Sequence, residues 1–198
     1  MSHHIYTTDA FVLESGAGKE ADKVYTLFTQ ELGMVRASAQ GVRLLKSKLR
    51  FSMQDFSLST VSIVRGKEWW RVVNAVPILN LFTEYKSKKY LVYTFARIFR
   101  LLRRLIPEEE KNEPLFTLII DAIDYIKDHA EEPKQVVVFE YIIALRILNL
   151  LGYVSLQTQP ELQQFISEPL SEALIQKGEP YTKQFVTLIN ASIRESHL

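Results

Sequence analysis

The sequence has no cysteine in 198 residues. That excludes disulfides and thiolate metal sites, and it fits a reducing cytoplasm. No uninterrupted apolar run approaches the roughly 20 residues of a membrane helix, so no membrane partner is expected. The first residues, MSHHIYTTD, have neither a basic n-region nor an apolar h-region, so no secretory signal is expected. Internal repeats and low-complexity linkers are also missing. The four histidines, His3, His4, His129 and His197, do not stand at a zinc-binding spacing. There is no nucleophile elbow and no dinucleotide glycine fingerprint. Residues 16–19, GAGK, fail as a phosphate-binding loop. The second glycine is missing at the required spacing, and Glu20 follows the lysine where Ser or Thr would hold magnesium. No enzyme, cofactor or metal is therefore expected. The acids Glu108, Glu109, Glu110 and Glu113 are read as a solvated helix start, favoured there by the macrodipole, ahead of a metal-dependent nuclease site.

One further absence is local: no Asp or Glu occurs between Glu31 and Asp55, while Arg36, Arg43, Lys46, Lys48 and Arg50 all do. An acid-free basic segment is a candidate phosphate-binding surface, or else a solvated loop. The overall charge of +1 conceals a wider asymmetry. Residues 1–107 hold 17 Lys/Arg against 8 Asp/Glu, and residues 108–198 hold 7 against 15. The basic half suits a polyanion, although the halves could also neutralise each other.

An apolar content of 47% is that of a globular chain. Residues 5–13, 23–30, 34–40, 51–64 and 68–76 are predicted strands, with β-branched and aromatic residues alternating against polar ones. On the third, Val35, Ala37 and Ala39 share a face, and Arg36 points the other way. Gly33 is placed at a tight turn that calls for positive φ. Five short strands before residue 80 predict an OB-type barrel, on whose loops such folds bind ligands. Past Pro77 the period changes to 3.6. Leu91, Phe95, Ile98, Leu102 and Leu105 form one face of a helix. Lys86, Lys89, Tyr93, Arg97, Arg100 and Arg104 share the opposite one. That stripe either tracks phosphates, with Lys86 and Lys89 nearest the barrel, or pairs with Asp121, Asp124 and Asp128 of the next helix. Residues 135–151 are apolar almost all round, which predicts the central helix of a helical domain, with Gly152 as its C-terminal cap. The expected fold is α+β: a five-stranded OB-type barrel over residues 1–80, then an all-α domain over 81–198.

The run GKEADKVYTLFTQELGMVRASAQGVRLLKSKLRFSMQDFSL resembles the start of the bacterial recombination mediator RecO family. The matching pieces are Glu20 after the first strand, Phe28-Thr29 closing the second, Gly33, Gly41 to Arg43, and Lys46-Ser47. VFEYIIALRILNLLGY resembles the family's Phe-Glu helix that ends in Leu-Gly-Tyr. The resemblance implies an OB-fold followed by a helical domain. It also implies binding of single- and double-stranded DNA, annealing of complementary strands, and loading of RecA recombinase with RecR as partner. Arg36, Arg43, Lys46 and Lys48 match the family's basic DNA-contacting segment, and Arg50 follows by position and charge. Gln40 replaces a commonly basic residue, and the four-cysteine zinc site of many members is absent. The single-strand-binding protein is a further implied partner. For its tail, however, Val138 precedes the Phe-Glu pair where some members have arginine. The alternative reading, from the residues alone, is a protein–protein adaptor whose barrel docks repair partners without binding DNA.

Overall fold

A computed structural model describes residues 4–129, 132–156 and 159–195. His3 and His197 lie outside them. The chain divides into two units. One comprises Met1–Val92 with Ile106–Glu113, and the other Tyr93–Leu105 with Pro114–Leu198.

The first unit is built on β1 (Ile5–Ala17), β2 (Lys23–Thr29), β3 (Gly33–Ala39), β4 (Ser57–Arg65) and β5 (Trp70–Asn80). They close into a barrel in the order β1-β2-β3-β5-β4, with every pairing antiparallel except the short parallel contact of β3 with β5. This is an OB-like arrangement, as expected. Closure leaves no long edge exposed to another chain. The interior is filled by alternate residues of every strand, including Val12, Leu27, Val35, Ile63 and Val72, with Val42 and Met53 from the β3–β4 connection.

Three local features depart from the alternation read in the sequence. The expected strand 51–64 begins at Ser57, and Leu49–Ser52 form a single helical turn, α1. Phe56 between them takes φ +63°, donates its N–H to Val12 and accepts from Leu81. On β4 the serine face turns inward: Ser57 and Ser59 are buried, and their hydroxyls donate to the Ser52 carbonyl at the end of α1. Opposite β5 the register shifts between Ser62 and Ile63, so the buried series Trp70 and Val72 continues at Ala75, three residues on, and Val76 is exposed. A bulge supplies one extra residue, and the side chains beyond it change face until the next register shift. The strand also runs through Pro77, which pairs with Ser59 beside a second register shift; irregular positions are where a strand tolerates a missing N–H.

Residues 106–113, assigned by sequence to the helical part, lie with the barrel. Glu108 bridges in parallel to Met34, and Glu109 donates its N–H to the Met34 carbonyl at 2.8 Å. Gly33, at φ +68°, makes this approach possible: a Cβ there would stand 1.9 Å from the Glu110 carbonyl oxygen. Two helices complete or leave the barrel part. The first is α2 (Leu81–Glu84), capped by Asn80, whose side chain accepts from the Thr83 N–H at 2.9 Å. The second is the start of α3 (Lys89–Leu105).

The second unit contains α4 (Glu113–His129), α5 (Pro133–Leu150), α6 (Gln163–Ser167), α7 (Glu172–Gly178) and α8 (Thr182–Glu195). As its all-round apolar sequence predicts, α5 is central. It packs on α6, α7 and α8, and its Phe139 stacks on Tyr125 of α4 at 5.8 Å. Pro133 opens the helix, where the missing N–H costs nothing. Gly152 closes it at φ +77°. The Gly152 N–H reaches the Asn149 carbonyl and the Tyr153 N–H reaches the Leu148 carbonyl, a Schellman cap. No helix among the described residues is long and apolar enough to cross a membrane.

Candidate nucleic-acid interface

The basic loop follows β3 and is built from consecutive tight turns. The Leu44 N–H reaches the Gly41 carbonyl, Ser47 reaches Leu44, and Arg50 reaches Ser47. Each turn needs a close reversal of the chain, and Gly41 starts the first at φ +64°. The loop is stitched to the β1–β2 connection. Gly41 donates its N–H to the Asp22 carboxylate at 2.9 Å, and the Arg43 N–H donates to the Ala21 carbonyl at 3.0 Å. The Arg43 guanidinium donates to the Glu20 carbonyl at 2.8 Å. Val42 and Met53 are anchored in the core, with Leu49 packed against it. The apolar side chains therefore hold the backbone down, and Arg43, Lys46, Lys48 and Arg50 are left exposed. Lys46, Lys48 and Arg50 form no ion pair among the described residues.

Beneath the loop lies a cleft lined by Lys23, Tyr25, Val42, Arg43, Arg50, Met53 and Gln54. Tyr25 is buried, and its hydroxyl has no hydrogen-bond partner among the described residues. Burial, and then the nearby Asp55 carboxylate, push this phenol well above its ordinary range, so it stays protonated and available as a donor.

Arg36 stands on the outward face of β3, opposite Thr26 of β2 and two residues before Ser38, which pairs with Arg71 of β5. Its guanidinium is engaged by Glu108 at 3.1 Å. Glu109 is held in turn by Arg65, and by the Trp70 indole N–H at 3.0 Å, with the Arg65 guanidinium 5.0 Å above the Trp70 ring. The Arg65 hydrogen bond keeps the Glu109 carboxyl below the ordinary glutamate range. Of the acidic run only Glu113 is at a helix start, as the first residue of α4; Glu108 and Glu109 lie ahead of it along β3. That part is a backbone partner of β3, with the Glu108 carboxylate on Arg36 and the Glu109 carboxylate on Arg65. Among the described residues no group of three or more His, Asp or Glu side chains could hold a metal ion.

Sequence reasoning passed over the β4–β5 hairpin. Arg65, Lys67, Trp69 and Arg71 are exposed there and line a shallow pocket with Ser38, Gly66 and Glu68. The signal was available: a basic turn, Arg65-Gly66-Lys67, followed one residue later by two tryptophans. Lys86 and Lys89 are exposed between α2 and the first turn of α3 and line neither pocket.

The rest of the α3 stripe is divided. Arg97 grips Glu140 of α5 through two nitrogens and also reaches the Thr94 hydroxyl. The hydrogen bond from Arg97 to Glu140 raises the Arg97 pKa. Pairing with Asp121 and Asp124 was one expectation, and for Arg97 the partner is Glu140 instead. Asp121, Asp124 and Asp128 face a pocket shared with Arg146, whose guanidinium donates to the Phe165 carbonyl at 2.8 Å and to that of Glu168. Val138, just before Phe139-Glu140, is buried; a methyl of it lies 2.6 Å from where a Cβ on Gly178 would stand.

An OB-like barrel bearing a basic loop, followed by an all-α domain, defines the architectural class. The family model described as Recombination protein O N terminal matches residues 1–89, and that described as Recombination protein O C terminal matches residues 91–158. The chain is 26% identical over 151 residues to the DNA repair protein RecO of Thermodesulfovibrio yellowstonii, covering 75% of this chain and 58% of that protein. It is 30% identical over 149 residues to the protein of the same name from Pelotomaculum thermopropionicum, covering 75% and 56%. For Desulforamulus reducens the identity is 32% over 125 residues, covering 62% and 47%. The matches thus span less than two thirds of these relatives' lengths. The chain belongs to the Recombination protein O family, RecO.

Proposed function

We propose that this chain is a DNA repair and recombination mediator that acts by binding, without catalysis. On this reading the barrel and its basic loop hold single- and double-stranded DNA, and complementary strands anneal on that surface. RecA is then loaded with RecR as partner. The observation that carries the reading is the loop itself. It is acid-free, fixed to the barrel by backbone hydrogen bonds, and presents Lys46, Lys48 and Arg50 without an acidic partner among the described residues. Phosphates fit such a surface because each one neutralised releases a condensed counterion. Arg36, Arg43 and the hairpin cations Lys67 and Arg71 extend the same charge, and Lys86 and Lys89 are its outlying candidates.

A salt titration with labelled single-stranded DNA tests it. Replacing Lys46, Lys48 and Arg50 by Ala weakens binding and lowers the magnitude of the log–log salt slope by roughly 0.7 for each phosphate no longer neutralised. Unchanged affinity and slope would remove DNA from this loop. A second reading, an adaptor that docks protein partners, draws on Val73, Val76, Ile78 and Phe82, which are exposed on and just after β5. It gains if the wild-type chain shows no salt-dependent DNA affinity.

A further inference from the structure

The basic loop carries apolar side chains that the fold does not use. Val42, Leu49 and Met53 already anchor it. Leu44, Leu45 and Phe51 remain 58%, 85% and 69% exposed. Single exposed apolar residues are ordinary on any surface. Three within eight residues, interleaved with Arg43, Lys46, Lys48 and Arg50 and with no acid, make a surface of a particular chemistry. The cations suit phosphates, and the apolar groups between them suit the faces of bases.

The three do not have equal roles. Leu44 folds back over the loop, with its Cδ1 3.4 Å from where a Cβ on Gly41 would stand. Leu45 follows in the turn closed by the Ser47 N–H on the Leu44 carbonyl, so it sits at the apex between Arg43 and Lys46. Phe51 lies within α1, beside Arg50, on a helical turn whose neighbours Ser52 and Met53 are buried. Its backbone is thus fixed while its ring faces solvent.

We infer that Leu45 and Phe51 are base-contacting residues. Phe51 is a stacking platform and Leu45 a wedge, and the occupant is a single DNA strand whose phosphates lie on the adjoining cations. This rests on the proposed DNA-binding function and deepens it. A loop of cations alone accepts any polyanion, whereas one with apolar groups between the cations favours strands whose bases are unstacked and accessible. Duplex DNA hides those faces, so the surface distinguishes the two forms without reading sequence.

The test compares a labelled oligo-dT strand with an abasic strand of equal length, which keeps the phosphates and lacks the bases. Wild type binds the dT strand about tenfold tighter, within the range of one or two stacked bases. Leu45→Ser with Phe51→Ala brings the ratio towards one, leaves the abasic affinity and the salt slope unchanged, and melts like wild type. Phe51→Trp retains the ratio, and its added fluorescence is quenched by dT. Equal wild-type affinity for both strands overturns the inference and leaves phosphate binding intact. A double variant that keeps the ratio also overturns it. Binding of neither strand overturns it together with the proposed function. Binding to phosphatidylserine vesicles that the double variant loses, while it keeps the ratio, overturns it in favour of a lipid contact.

Discussion

Arg36 Nε stands 3.1 Å from Glu108 Oε1, so a cation suited to phosphate is held by a carboxylate of its own chain. Both side chains are more than half exposed. An exposed pair of this kind contributes about 0–1 kcal/mol, little enough for a phosphate to displace the acid. Glu108→Gln is therefore expected to leave the melting temperature nearly unchanged and to strengthen single-strand binding at low salt. Arg36→Ala should lower the magnitude of the log–log salt slope by roughly 0.7 if Arg36 carries one phosphate. An unaltered slope would put Arg36 outside the DNA path.

Glu109 makes the same segment sensitive to acid. Its folded pKa lies below the ordinary range because Arg65 and Trp70 bind the ionised form. Its contribution is fully present above about pH 4.3 and is lost as pH falls through the depressed value. Thermal melts between neutral and acid pH should show a steeper acid loss for wild type than for Glu109→Gln. Parallel curves would show that the pairing adds nothing to stability.

Gly33 is expected to be intolerant of a side chain. Alanine there meets both the left-handed backbone, worth about 1–2 kcal/mol, and the Glu110 carbonyl 1.9 Å from its Cβ. Gly33→Ala should lower the melting temperature by several degrees and open the segment 108–110 to amide exchange. Wild-type stability would mean that the pairing of β3 with this segment does not persist in solution.

The Arg97–Glu140 pair is expected to matter for stability. The Glu140 side chain is 14% exposed, so losing Arg97 strands a carboxylate that is mostly out of water. Arg97→Ala should cost about 1–3 kcal/mol, partly recovered by adding Glu140→Gln. Arg100→Ala, at an exposed position of the same helix, should melt like wild type. Equal effects of the two arginine variants in a denaturant titration would contradict this.

Tyr25 gives a prediction of opposite sign. Its buried hydroxyl has no partner among the described residues, and an unsatisfied buried group carries a penalty. Tyr25→Phe should fold at least as well as wild type, as read by chemical denaturation. A clear loss of stability would show that the hydroxyl is satisfied in solution.

The composition, the period-two runs and the switch to period 3.6 were enough to establish an α+β chain with a barrel first and helices after. These signals are local: Val35, Ala37 and Ala39 alternate, and residues 135–151 are apolar all round, whatever lies beside them. The positive φ of Gly33 and the cap at Gly152 were legible for the same reason, as was the charge of residues 36–50. The inward serine face of β4 was not legible, because Ser57 and Ser59 are made acceptable inside by the Ser52 carbonyl, which a turn of helix brings to them. Nor was the face change on β5, since a bulge depends on the pairing of two strands and leaves no mark on one.

The site divides the same way. The cations of the loop could be named from the chain alone, and the hairpin's basic turn at Arg65 and Lys67 was equally visible there, whereas pairing, not proximity in sequence, sets Arg71 beside Ser38. Tertiary structure also decided the partners of charge: Glu108 lies on Arg36, 72 residues away, and Glu140, not Asp121, on Arg97. Like and unlike charges can be counted in a sequence, but which carboxylate reaches which guanidinium depends on where packing brings the backbones, and that is settled only when the barrel closes and the helices dock on α5.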